Sequence, residues 1–207
     1  MDIQPSLLGY ISIAKDWLTL IIAGCGVWVA WQGLRTWRRQ LKGTSQFDVS
    51  KRLMLKVYQI RRDIEYCRES YRSIPVLTHY QDGKLIPESE QERYSCNKEM
   101  LDRYNVVART LSEIEFILFE SEIILDKNVR NIFKPIEDVC YLLRYSIDEY
   151  IIVCDPRYKD MSGSEDSSNQ YRELLRVIFS KKNDDIQTKI NATVAEFEKL
   201  IEPYIHG

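Results

Sequence analysis

The chain has 207 residues, with 29 Lys/Arg against 31 Asp/Glu for a net charge of −2, five cysteines and only two histidines. The cysteines (Cys25, Cys67, Cys96, Cys140, Cys154) are odd in number and share no short spacing, and there is no Cys-x-x-Cys, which excludes the usual structural zinc patterns. No metal and no cofactor is implied, and in a reducing compartment these thiols read as small apolar side chains rather than disulfides.

Residues 1–16 form a short leader carrying only Asp2, Lys15 and Asp16 as charges. Residues 17–34 contain no charge at all, and a helix rising ~1.5 Å per residue makes them ~27 Å long, enough for the hydrocarbon core of a bilayer. A cleaved signal peptide would need its basic residues before the apolar run, and here they follow it. A soluble core helix would show a polar face, and Leu18 to Ala30 offers only Thr19. All four tryptophans lie in the first 37 residues, with Trp17 and Trp37 spaced to reach the two headgroup layers. Within this run Thr19, Ala23, Gly26, Ala30 and Gly33 recur at steps of four, three, four and three. Such a small-residue stripe lets two membrane helices approach closely, so self-association is expected. The competing account is that Gly and Ala are common in membrane helices and align by chance.

Residues 35–44 are a basic juxtamembrane segment bearing Arg35, Arg38, Arg39 and Lys42. By the positive-inside rule the N-terminus lies outside and the rest in the cytoplasm, with these four cations placed for anionic lipid headgroups or a partner. The basic character continues: from Arg35 to Arg72 there are eleven Lys/Arg against four Asp/Glu, net +7, whereas Ser73 to Gly207 has seventeen against twenty-five, net −8. Lys51, Arg52, Lys56, Arg61 and Arg62 read first as a solvated helix face. A protein or RNA partner on the basic helix 45–72, or the acidic part of a neighbouring subunit, is the alternative.

Residues 45–207 predict a cytoplasmic helical bundle. Thr44 or Ser45 can cap a new helix, or else Gly43 merely bends the join and one long helix results. Phe47, Ser50, Leu53, Met54, Val57, Ile60, Ile64, Cys67 and Tyr71 mark its apolar side, ending before Pro75. Pro75 to Glu92 reads as a loop. A second helix from about Glu90 to Glu120 carries Leu101, Tyr104, Ala108, Leu111, Glu115 and Leu118, with Met100, Val107, Ile114 and Ile117 beside them. A third region to Val153 is expected as a short helix and then a longer one with Pro135 in its first turn, its apolar side being Ile136, Val139, Leu142, Leu143, Ile147, Tyr150 and Ile151. Asp155 to Asn169 reads as a surface loop, Tyr171 to Ser180 as helix. Asn183, Asp184 and Asp185 look like a cap restarting the chain, with Ile186, Ile190, Val194, Phe197, Leu200 and Ile201 as the last stripe and Pro203 as its end. The fold class is all-α: one N-terminal transmembrane helix followed by a cytoplasmic bundle of four or five helices.

Phosphate-loop, nucleophile-elbow and His-Glu-x-x-His templates are absent. Glu113, Glu115, Glu120 and Glu122 have helix-face spacing and no histidine at i+3, so they read as solvent-facing. The thirteen tyrosines fall mostly on apolar stripes. Arg72 and His79 are the one catalytic candidate: six residues separate them, matching the loose R-x4–6-H pattern of HEPN ribonucleases, which are helical. The plain account is a loop histidine near one of many basic residues.

Two stretches carry a family resemblance: Trp37-Arg-Arg-Gln-Leu-Lys-Gly-Thr-Ser-Gln-Phe-Asp-Val-Ser-Lys-Arg-Leu, continuing to Ile64, and Ile190 to Tyr204 with its Leu-Ile-Glu-Pro-Tyr ending. Together they resemble uncharacterised bacterial single-pass membrane proteins with a cytoplasmic helical domain. The layout is also similar to the membrane accessory proteins of type VI-B CRISPR systems, which are HEPN-like. That resemblance implies a bacterial inner-membrane location, a homo-oligomer and antiviral defence. The expectation is a non-enzymatic, self-associating membrane effector or scaffold, with a membrane-tethered HEPN-like ribonuclease using Arg72 and His79 as the alternative.

Overall fold

A computed structural model describes residues 5–70, 80–81, 84–155, 166–179 and 184–205. Among these are five helices: α1 (Pro5–Cys67), α2 (Glu88–Ile124), α3 (Val129–Val153), α4 (Asp166–Ile178) and α5 (Asp185–Ile205). A two-residue antiparallel ladder joins β1 (Tyr80–Gln81) to β2 (Lys84–Leu85), pairing Tyr80 with Leu85 and Gln81 with Lys84. The chain divides into two compact units, Met1–Gln46 and Phe47–Gly207.

In the first unit α1 is the only element. Its side chains from Lys15 to Leu41 are all exposed, including Trp17, Trp28, Trp31 and Trp37. The helix contains an 18-residue window of mean hydropathy 1.5, none of it buried, so it is long and apolar enough to cross a membrane. Of the two joins left open at Gly43, the continuous one is found. No new cap forms at Thr44 or Ser45, and helix runs through both.

The second unit is built on helices paired antiparallel. Residues 52, 56 and 63 of α1 meet residues 120, 113 and 110 of α2. Residues 58, 65 and 68 of α1 meet residues 198, 187 and 184 at the other flank, along and just before α5. Helix α3 packs against α2, α4 and α5. Apolar spacing explains the arrangement: Leu53, Val57, Ile60 and Ile64 of α1 turn inward. They join one core with Met100, Val107, Ile114 and Leu118 of α2, Phe133, Ile136, Leu143 and Ile147 of α3, and Ile190, Val194, Phe197 and Ile201 of α5. Phe133 and Phe197 meet edge-on with centroids 6.3 Å apart.

Several local expectations are corrected. Phe47 is exposed, and the inward stripe begins at Val49. Leu142 is also exposed. Pro135 does not split α3, and Pro203 does not end α5; each lies inside its helix. A proline removes the donor that would bond the carbonyl four residues back. Here those carbonyls belong to Asn131 and Lys199, both exposed residues. Helix α4 starts at Asp166, inside the stretch read as loop. The Pro75–Glu92 loop contains the β1–β2 ladder and the start of α2. The expected cap at Asp184 is found: its Oδ1 accepts from the Gln187 backbone N–H at 2.8 Å.

Candidate functional site

The apolar N-terminal part of α1 comes first. A helix turning ~100° per residue places Thr19, Ala23, Gly26, Ala30 and Gly33 within an arc of ~80°. By the same construction Trp17, Trp28, Trp31, Arg35, Arg38, Arg39 and Lys42 fall within ~100° centred almost opposite that stripe. Over residues 17–34 the two faces therefore differ in kind, one small and the other bearing indoles that the guanidiniums continue, while Lys15 and Trp37, just outside that run, fall back in line with the stripe. Sequence spacing found the stripe; the opposition of the cations needs helix to continue past Gly33, which α1 supplies.

The stripe offers no loose polar group. The Thr19 hydroxyl donates to the Lys15 carbonyl at 2.9 Å within its own helix. A Cβ added at Gly24, Gly26, Gly33 or Gly43 would meet nothing within 4 Å. Glycine within a helix costs about 1 kcal/mol relative to alanine, and no packing in the described chain requires it at Gly26 or Gly33. Arg35, Arg38, Arg39 and Lys42 are exposed and, among the described residues, form no ion pair. Gln32, Arg35, Thr36 and Arg39 line a shallow groove of ≈300 Å³, with two guanidiniums one turn apart.

The basic helix beyond Phe47 is partly neutralised by the acidic part of the same chain. Arg52 Nη2 donates to both carboxylate oxygens of Glu120, at 2.7 and 2.8 Å. Lys56 Nζ donates to Glu113 at 2.6 Å and to Gln59 Oε1 at 2.8 Å. Arg61 lies 4.0 Å from Glu65 and stacks on the Tyr58 ring at 5.3 Å. Glu113 and Glu120 thus do not simply face solvent. Lys51 and Arg62 stay exposed and without an ion pair among the described residues.

Two buried polar arrangements escaped the sequence reading. Arg68, 1 % exposed, donates through Nε to the Val177 carbonyl at 2.8 Å and through Nη2 to the Arg176 carbonyl at 3.4 Å. It also pairs with both oxygens of Asp184. The guanidinium therefore closes the end of α4 onto the start of α5. Asp63, also buried, accepts from the Thr110 hydroxyl at 2.7 Å, and Gln59 Nε2 donates to the same hydroxyl oxygen at 3.3 Å. Neither residue type at its position carries a spacing signal, because each is defined by a partner on another helix.

Cys67 and Cys140 are buried in the core, Cys96 and Cys154 are half-buried, and Cys25 is exposed. Burial pushes the Cys67 thiol up to about 11 and the Cys140 thiol up to about 12. Cys96 is raised too, burial first and neighbouring Cys154 second. Such thiols are poor nucleophiles. Among the described residues no group of three His, Cys, Asp or Glu is placed to hold a metal. Arg72 and His79, the ribonuclease candidate, lie outside the described residues.

The chain is thus an all-helical protein with one helix able to cross a membrane by length and composition. No family model, curated protein or solved structure matches it significantly.

Proposed function

We propose that this protein is a membrane-anchored, self-associating helical effector or scaffold of the inner membrane, with Met1–Ala14 outside and residues 35–207 in the cytoplasm. The observation that carries it is the two-faced anchor. Residues 17–34 are uncharged, no part of the described chain covers them, and their indoles lie on the face away from the small residues. Left in water, each large apolar side chain would forgo about 1.5–3 kcal/mol of burial; a bilayer removes that cost. Gly26 and Gly33 weaken their own helix and meet nothing in their own chain. Their smallness acquires a purpose when a second anchor lies against Thr19, Ala23, Gly26, Ala30 and Gly33. Arg35, Arg38, Arg39 and Lys42 then point away from that seam toward lipid, where each cation gains about 1 kcal/mol near an anionic leaflet.

The protein is expected to stay with membranes through alkaline washing, and a cysteine placed at Ala30 within the stripe is expected to give a disulfide-linked dimer that Gly26→Leu abolishes. No such dimer, or one indifferent to Gly26→Leu, removes the seam. The chain's resemblance in layout to type VI-B CRISPR accessory proteins extends the proposal to antiviral defence. Its check is loss of phage protection when Gly26→Leu is introduced, at unchanged protein level.

A further inference from the structure

Helix α2 carries a ridge that its own core does not use. Phe116, Phe119 and Ile123 are 76 %, 56 % and 86 % exposed. Their steps of three and four put them on one face, opposite Met100, Val107, Ile114 and Leu118. Glu113, Glu115, Glu120 and Glu122 flank the ridge. Lys56, Arg52 and Arg130 already pair with Glu113, Glu120 and Glu122, and the Arg130 guanidinium lies 4.6 Å from the Phe119 ring centroid. Glu115 has no ion pair among the described residues, so it is the carboxylate left to meet a cation from outside.

The outward face of α1 has the opposite character. Leu55, 59 % exposed, lies with Tyr58, Gln59, Arg61, Arg62 and Glu65 along a groove of ≈590 Å³. Arg62 has no ion pair among the described residues, nor has Lys51 three turns before it on the same helix. Inside the chain the same two helices already show which charges they prefer, through Arg52–Glu120 and Lys56–Glu113.

We propose that the α2 ridge of one copy seats in the α1 groove of a second copy, with Glu115 approaching Arg62 and the Phe116–Ile123 stripe covering Leu55 and Tyr58. Ridge and groove are different surfaces, so a head-to-tail arrangement leaves a bound copy a free ridge or groove for the next, and a two-fold arrangement uses both at once. The contact lies wholly within Phe47–Gly207 and does not rest on the anchor seam.

The test uses the full chain in membranes with a benzophenone amino acid at Ile123. Ultraviolet exposure yields a dimer-sized adduct, and peptide mass spectrometry places its second attachment between Lys51 and Tyr66. Arg62→Glu lowers that yield about tenfold through like-charge contact with Glu115, and Glu115→Arg in the same chain restores it. The yield persists in a Gly26→Leu background, which separates this contact from the anchor seam. Circular dichroism checks that each variant keeps its helix content. No dimeric adduct, an adduct to lipid, RNA or another stretch of protein, or a yield unmoved by Arg62→Glu, overturns the proposal.

Discussion

Arg68 and Asp184, 116 residues apart in sequence, form an ion pair at a site where the arginine is almost wholly buried. The carboxylate also accepts from the Gln187 N–H, so one side chain both caps α5 and neutralises Arg68. Asp184→Ala leaves a buried guanidinium uncompensated and removes the cap, and a loss of about 3–5 kcal/mol is expected. The double variant Arg68→Met/Asp184→Ala recovers part of that loss, since no unpaired charge remains. Urea denaturation of the full chain in detergent measures both. A loss below about 1 kcal/mol for Asp184→Ala would contradict the arrangement.

Thr110→Val keeps shape but leaves the Asp63 carboxylate without its 2.7 Å donor. A buried acceptor stripped of its partner costs about 1–3 kcal/mol. The same denaturation measurement reports it, and an unchanged midpoint would show that the hydroxyl contributes nothing.

Stability falls in the alkaline range. Folded Cys67 and Cys140 keep their protons up to about 11 and about 12, against 9.0 for an ordinary thiol. Tyr104, raised to about 12 from 10.0 chiefly by burial, donates its hydroxyl to the Cys140 carbonyl at 3.2 Å. The folded state binds more protons than the unfolded one above pH 9.0, so this contribution is complete below that pH and is lost as pH climbs toward about 12. Thermal midpoints taken from pH 8 to 11 test the direction, and a flat profile contradicts it. Iodoacetamide at pH 8 should leave both thiols unmodified until denaturant is added.

Arg52→Ala, in contrast, changes stability little. Its pair with Glu120 is short, but the side chains are 52 % and 38 % exposed, and solvated pairs contribute about 0.2–1 kcal/mol. Raising salt should therefore shift the wild-type midpoint only slightly. A loss above about 2 kcal/mol would show that the α1–α2 pairing depends on charge rather than on Leu53, Val57 and Ile60.

The helices were legible wherever one face is buried, since Val57, Ile60 and Ile64, or Ile190, Val194 and Phe197, repeat at helical steps and all turn inward. Breaks at Pro135 and Pro203 were misread because a proline's cost depends on whether the stranded carbonyl meets water, which is a property of the surface. The ladder at Tyr80–Leu85 had a local signal, the Asp82-Gly83 dipeptide, which favours a two-residue hairpin turn. Arg68 had none. It counts as one more cation on a basic helix until α4 and α5 close over it. The small-residue stripe of α1 was visible because helical spacing alone defines it, with no partner from elsewhere in the chain. The exposed ridge at Phe116, Phe119 and Ile123 was not, since an apolar residue on a helix reads as core until its neighbours are known.

The Arg68 contact also sets a timetable for biosynthesis. At roughly 5–20 residues per second, a ribosome needs on the order of 6–23 s to add the 116 residues between that cation and its counter-ion. Throughout that interval the nascent polypeptide holds a guanidinium without its counter-ion, so the flank of α1 that meets α4 and α5 seals last, after the flank that meets α2.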